Sequence, residues 1–455
     1  MEQPIKTLGI IAEYNPFHNG HRHQIEEIRR RTGAEIIIAV MGGNFLQRGT
    51  PAIADKYLRT EMALSCGADF VFELPAVFAT ASAEYFAYGG VSLLHQMGCV
   101  DAICFGSECG NLAPLSAIAD FLCQEPDDYR KQLRSLVAAG ISYPAARSQI
   151  LTRYFPEIFH AHPDLLTAPN NLLAIEYLKA LHRLKSPMIP LTLPRNDQGY
   201  HAQAANGQFL SASAIRSLMT APENCQLKCT VPEYCQPECT AETQRHAAFA
   251  RYLPEEIQAI LARHKNRFPL TADDFSEYLF YELTALEDSK ALSLSDMSTD
   301  LWNRIKREHT GFQDISSFAD QLKSKQYTHS RISRVLCHIL LQIKKDFLQN
   351  SATGQKIPTL YGRILGFHME HSPFLRNVKH FPLINKVADA EQVLERFAGE
   401  ELSSRAEQDA YLSLAKAHLQ VDFRASALYR RALYHKNGTL LPEEHRAGVI
   451  RYETF

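Results

Sequence analysis

Short apolar runs alternate with helix-like segments through the first hundred residues, and this rhythm constrains the fold more than any other feature of the chain. Residues 7–12, 35–41, 69–74 and 102–106 are apolar runs of strand length. Residues 21–31, 55–66 and 82–97 carry helical patterns between them. Strand–helix–strand alternation builds a parallel sheet covered by helices on both faces. Residues 186–193 supply a late strand, and 212–219 a closing helix. The expected fold is α/β, with a Rossmann-like parallel sheet over residues 1–220.

At 455 residues the chain exceeds one ordinary core, so a second domain is expected. Between 221 and 244 the pattern breaks, with Pro222, Pro232, Pro237 and four cysteines among few aliphatics. This stretch reads as a linker or Cys-rich loop. Residues 245–455 read as a mostly helical domain, with candidate helices at 275–286, 298–308, 318–323, 330–348, 388–397, 403–419 and 421–434. No apolar run approaches the ~20 residues of a membrane helix. The polar residues Met1 to Lys6 lack a signal-peptide layout, so a cytoplasmic location is expected. A net charge of -2 means that any RNA-binding surface must be a local patch.

The first strand runs into Pro16-Phe17-His18-Asn19-Gly20-His21, where the first helix begins. In an open parallel sheet, such a point faces the ligand crevice. A helix N-terminus offers free N–H groups and a positive dipole end, both suited to phosphate. Two histidines there can donate hydrogen bonds to a developing anion. Gly20 lets the backbone approach a base or ribose closely, and Arg22 and His23 add positive character. Taken alone, the pattern also suits two surface histidines at a helix start.

Other segments cluster at predicted strand ends. Gly42-Gly43-Asn44-Phe45-Leu46-Gln47-Arg48-Gly49 is a glycine-rich loop whose Arg48 suits pyrophosphate or an acyl phosphate. Lys56 and Arg59 share a helix face, either a phosphate or RNA contact or a solvated basic surface. Gly106 can pass close to adenine or ribose, with Ser107 and Glu108 as hydrogen-bonding neighbours. Asn170 and Asn171 open a helix, where one of them suits an N-cap. Arg195 follows the late strand. Ser211-Ala212-Ser213-Ala214-Ile215-Arg216 is a hydroxyl-rich turn followed by an arginine at a helix start. Its groups suit β- and γ-phosphates, with Arg216 neutralising charge on leaving pyrophosphate. The same residues also fit a Ser N-cap and an ordinary helix.

The His-x-Gly-His element after a first strand resembles the nucleotidyltransferase superfamily that shares it with class I aminoacyl-tRNA synthetases. Members usually attack the α-phosphate of ATP. The order of all these segments, with the helical second half, resembles the bacterial tRNA(Met) cytidine acetate ligases. That resemblance implies ATP-dependent activation of acetate to acetyladenylate. Acetyl transfer to the wobble cytidine of elongator tRNA(Met) then gives N4-acetylcytidine. It implies His18 and His21 as catalytic residues and Mg²⁺ as the charge partner of ATP. The implied ATP site is Leu8, Gly9, Ile10, Ile11, Ala12, Glu13, Tyr14, Asn15, Pro16, Phe17, His18, Asn19, Gly20 and His21, with Gly106, Asn171, Arg195 and Arg216. The family usually reads Arg-Ile-Gly-Ala-Gly-Tyr-His-Asp where this chain has Arg195-Asn196-Asp197-Gln198-Gly199-Tyr200-His201-Ala202.

For the acceptor, residues 323–345 hold a basic strip without any aspartate or glutamate before Asp346. Lys323, Lys325, Arg331 and Arg334, with Tyr327, His329 and His338 interleaved, suit RNA phosphates and bases. An amphipathic helix with a basic outer face has the same pattern. Trp302 with Arg304, Lys306 and Arg307 forms a second patch. Residues 361–367 read as packing within the helical half. Cys225, Cys229, Cys235 and Cys239 have knuckle-like spacing, but the loop between the pairs is short for a ribbon. A variable loop with free thiols is expected there rather than zinc. Cys66, Cys99, Cys104 and Cys123 read as small core residues. Two rival functions remain compatible: a nucleotidyltransferase acting on a small metabolite, and a nucleotide-regulated RNA-binding protein.

Overall fold

The computed structural model describes residues 4–195, 209–221, 249–324 and 326–453. Strands β1 (Thr7–Ala12), β2 (Ile36–Gly42), β3 (Phe70–Leu74), β4 (Ala102–Ser107) and β5 (Ile189–Pro194) lie parallel in the order β5-β4-β1-β2-β3. The helices α1 (Asn19–Thr32) and α2 (Lys56–Ser65), with the helix Ala83–Gln96, connect the first four strands. The chain builds outward from β1 through β2 to β3, then crosses back to β4 on the other side of β1. Loops leaving β1 and β4 therefore diverge, which opens a crevice at the carboxyl ends of these strands.

Alternate residues of β2 serve opposite faces of the sheet. Ile38 and Val40 join the core that holds the helix Ala83–Gln96, while Ile37, Ala39 and Met41 join the core of α1 and α2. Both faces are covered, so the strands read as continuous apolar runs.

The sheet does not stop at the nucleotide half. The segment expected to be packing within the helical half is instead strand β6 (Gly362–His368), antiparallel to β3. Strands β7 (Leu383–Ile384) and β8 (Ile450–Tyr452) both pair parallel with β6. Two helices expected at 403–419 and 421–434 form one helix of 33 residues, Arg405–Asn437. No Gly or Pro separates them, so nothing ends the backbone ladder. The helix expected to reach residue 348 ends at Leu341, where Gln342 adopts a left-handed φ of 58°. Helices Leu112–Gln124, Asp127–Ala138, Tyr143–Tyr154 and Pro156–Ala161 also lie between β4 and β5. No helix among the described residues is long and apolar enough to cross a membrane.

A buried ionic cluster ties the two halves together. Lys56 Nζ lies 2.8 Å from Glu73 and 3.2 Å from Glu444, and Arg363 of β6 bridges the same two carboxylates. All four side chains are under 10% exposed. Lys56 is therefore not a surface contact for phosphate or RNA. Arg59, also fully buried, donates to the carbonyls of Glu13, Gly42, Gly43 and Ala54. Its role is to hold together the loops that leave β1 and β2.

Candidate active site

The site is assembled at the end of β1. Leu8 and Ile10 are core side chains, and Gly9 has no room for a Cβ against Leu94. The strand's part is thus to deliver residues 12–21 to the crevice. Glu13 Oε1 accepts the Gln47 N–H at 2.9 Å, and Asn15 Oδ1 accepts the Ile53 N–H at 2.8 Å. These bonds fix the β1 loop against the loop after β2. Between them Tyr14 is held at φ 47°, uncommon for a side-chain-bearing residue. Its ring is buried and meets the His21 ring edge-on, with centroids 4.9 Å apart.

His18 is the N-cap of α1, and its Nδ1 accepts the Gly20 N–H at 3.1 Å. His21 Nδ1 accepts the His18 N–H at 3.2 Å. The two rings stack with centroids 3.7 Å apart. An Nδ1 that accepts a hydrogen bond leaves the proton of a neutral imidazole on Nε2. Both residues are thus set as Nε2–H donors. His18 Nε2 is buried and has no hydrogen-bond partner among the described residues. Burial, then the nearby guanidiniums of Arg195 and Arg216, pushes the His18 pKa down to about 3. Burial, then His18 and Arg195, holds His21 well below the ordinary imidazole range.

Gly20 packs directly against the His18 ring. A Cβ there would lie 2.9 Å from Cε1 of His18. Arg22 is occupied by Glu26 at 2.8 Å and Glu256 at 2.9 Å, so it adds no free charge to the first turn. The Asn19 N–H donates to the Tyr252 carbonyl at 3.0 Å.

The other walls come from β4, β5 and two helices. The space above Gly106 is taken by the Arg195 side chain, whose Cδ would lie 2.5 Å from an added Cβ. Arg195 Nη1 donates to Asn170 Oδ1 at 3.2 Å. Neither asparagine is the N-cap of the helix Pro169–Arg183, whose cap residue is Ala168. Glu108 caps it instead, accepting the N–H groups of Asn170 at 3.1 Å and Asn171 at 2.7 Å. Asn171 is buried, and its Oδ1 accepts the Cys109 N–H at 2.9 Å. Asn170 and Glu108 thus set the arginine and the helix, roles that their spacing did not reveal. Ser211 caps the helix Ala212–Thr220, and from that helix Arg216 Nη1 reaches back to the Asn15 carbonyl at 2.6 Å.

A histidine pair on a helix start, at the switch point of a parallel sheet, with two arginines facing it, is a nucleotide-binding geometry. A family model described as HIGH Nucleotidyl Transferase matches residues 5–441. The tRNA(Met) cytidine acetate ligase of Acetivibrio thermocellus is 37% identical over 393 residues, covering 85% of this chain and 89% of the relative. That of Clostridium novyi is 36% identical over 376 residues, covering 82% and 88%. The chain belongs to the tRNA(Met) cytidine acetate ligase family. The crystal structure of Thermotoga maritima TmcAL bound with alpha-thio ATP matches with a TM-score of 0.83 and 29% identity, over 99% of this chain and 100% of that one.

In this member of the ligase family, the basic strip is largely compensated by groups from outside its own sequence window. Arg334 is paired with Asp296 at 2.8 Å, and Arg331 donates to the Asp296 carbonyl and lies over the Tyr327 ring. His338 is buried between the carbonyls of Ser295 and Thr80. Lys323 is exposed, and Lys325 lies outside the described residues. The second patch is also compensated, because Trp302 and Lys306 both bind Asp288. Cys225, Cys229, Cys235 and Cys239 lie outside the described residues.

Proposed function

We propose that this protein condenses acetate with ATP to acetyladenylate and passes the acetyl group to the wobble cytidine of elongator tRNA(Met). The observation that carries the first step is the His18–His21 pair, in particular the buried His18 Nε2–H, which has no partner among the described residues. A neutral donor in a water-poor crevice stabilises charge that develops on the α-phosphate oxygens, without the cost of burying a cation.

An acetate oxygen attacks the α-phosphorus, the bond to the bridging oxygen breaks, and pyrophosphate leaves. Arg216 lies on the side of the crevice formed by the hydroxyl-rich turn, where it neutralises the leaving group. Mg²⁺ commonly binds ATP through substrate phosphates rather than through a protein cage. Glu13 follows β1 at the crevice, and its Oε1 already accepts the Gln47 N–H. In the second step the exocyclic amine of cytidine attacks the acyl carbon, AMP leaves, and the amine loses a proton. No protein nucleophile enters either step, and positioning supplies much of the rate.

The support for acetate and tRNA(Met) is the relatives' activity, named at 36–37% identity over most of both chains. The test is exchange of labelled pyrophosphate into ATP with acetate, with other carboxylates, and with none. Acetate-stimulated exchange, followed by acetyl transfer to tRNA(Met), is the expected result. Exchange indifferent to acetate would overturn the ligase reading in favour of a nucleotidyltransferase for another acceptor.

A further inference from the structure

A cavity of about 340 Å³ lies beyond Arg216, at the seam between the nucleotide half and the helical half. One wall is a face of the helix Ala212–Thr220: Ser213, Arg216 and Ser217 stand three and four residues apart and line it together. The opposite wall is the start of the helix His329–Leu341, through His329, Ser330 and Ser333. Arg48 closes one side. No aspartate or glutamate is among the described residues that line it. Asp320 stands outside the lining, 3.7 Å from His329 Nε2.

The seam is built to hold this shape. Gly49 has φ +73°, and a Cβ there would lie 2.4 Å from the Arg334 nitrogen and the Ser333 carbonyl carbon. The loop that carries Arg48 is thus pressed directly on the backbone of the helix His329–Leu341. Two guanidiniums and several hydroxyls around a hollow whose described lining holds no carboxylate form an anion site, and its chemistry is that of a phosphate. Arg216 faces both the histidine crevice and this cavity. A mononucleotide is served by the nucleotide half, yet Leu270, Thr271, Ala272, His329, Ser330 and Ser333 bring the helical half into the cavity wall.

We infer that the seam cavity binds a backbone phosphate of the acceptor RNA, between Arg48 and the first turn of the helix His329–Leu341. This rests on the ligase reading and extends it. A strand anchored here lies beside Arg216 at the edge of the histidine crevice, so the subsite holds the acceptor RNA next to the chemistry.

Ser330→Glu tests the inference without threatening the fold. Ser330 is exposed in the first helical turn, where a carboxylate favours the helix dipole. The variant should raise the KM for tRNA about tenfold at low salt, with the difference shrinking as salt rises. Ser330→Lys should lower it. Acetate-dependent pyrophosphate exchange, measured without RNA, should stay within about twofold of the parent in both variants. A Ser330→Glu protein whose exchange falls as far as its acetyl transfer would place pyrophosphate, not RNA, in the cavity. An unchanged KM in both variants would remove RNA from it. Either result overturns the inference. Absence of acetate-dependent exchange in the parent protein would instead overturn the ligase reading, which is a separate observation.

Discussion

His18 and His21 stack with ring centroids 3.7 Å apart, and each ring's Nδ1 is taken by a backbone N–H of the same helix start. The arrangement turns two titratable side chains into a fixed pair of neutral donors. It also separates capping from donation, because Nδ1 accepts a helix-start N–H while Nε2 carries the proton.

His18→Asn should exploit that separation. Asparagine is a good N-cap and retains an acceptor for the Gly20 N–H, but it has no group in the place of Nε2–H. The pyrophosphate-exchange rate should fall about 10²–10³-fold, the scale of losing one donor to a developing anion. The melting temperature should stay within about 4 °C of the parent. A rate loss that tracks a loss of folded protein would show that capping, not donation, is the residue's contribution.

Acidification should weaken the fold through the same pair. The unfolded chain binds protons at its histidines near pH ~6.5, while folded His18 resists protonation down to about 3. The unfolded state therefore carries more protons in that window, and stability rises with pH there. Melting temperature should drop as pH falls from 6.5 toward 3, less steeply in His18→Asn. His21, His338 and His418 shift in the same direction through burial, so part of the slope will remain. Exchange activity should show no ionisation near pH ~6.5 that belongs to this pair.

Gly106→Ala should displace Arg195 rather than unfold the sheet. The added Cβ would meet Cγ and Cδ of that flexible side chain at 2.6 and 2.5 Å, away from any backbone clash. The KM for ATP should rise roughly tenfold from the misplaced guanidinium, with little change in thermal stability. An unaltered KM would take Arg195 out of nucleotide binding.

Lys56→Met should destabilise the whole molecule without any selective loss of RNA binding. It removes the cation between Glu73 and Glu444 and leaves Arg363 as the remaining cation of the cluster. Breaking a buried ionic cluster at one member costs about 3–5 kcal/mol. Denaturant unfolding should show that loss, while tRNA affinity per folded molecule stays constant.

The first five strands, the histidine pair and the Ser211 helix start were legible in the sequence because their signals are local. Apolar runs, a helix start and a capping serine are set by neighbours a few residues away, and the fold kept them. Tertiary structure decided which charges remain available. Lys56 and Arg59 look like a basic surface by spacing, yet Lys56 meets Glu444, 388 residues later, and Arg59 binds the carbonyls of two strand-end loops. Arg334 belongs to a window without carboxylates, yet Asp296, 38 residues earlier, neutralises it. The seam cavity likewise exists only where a loop glycine lets one half rest on the backbone of the other. A side chain's type is written locally, but its burial and its partner depend on residues that only folding brings together.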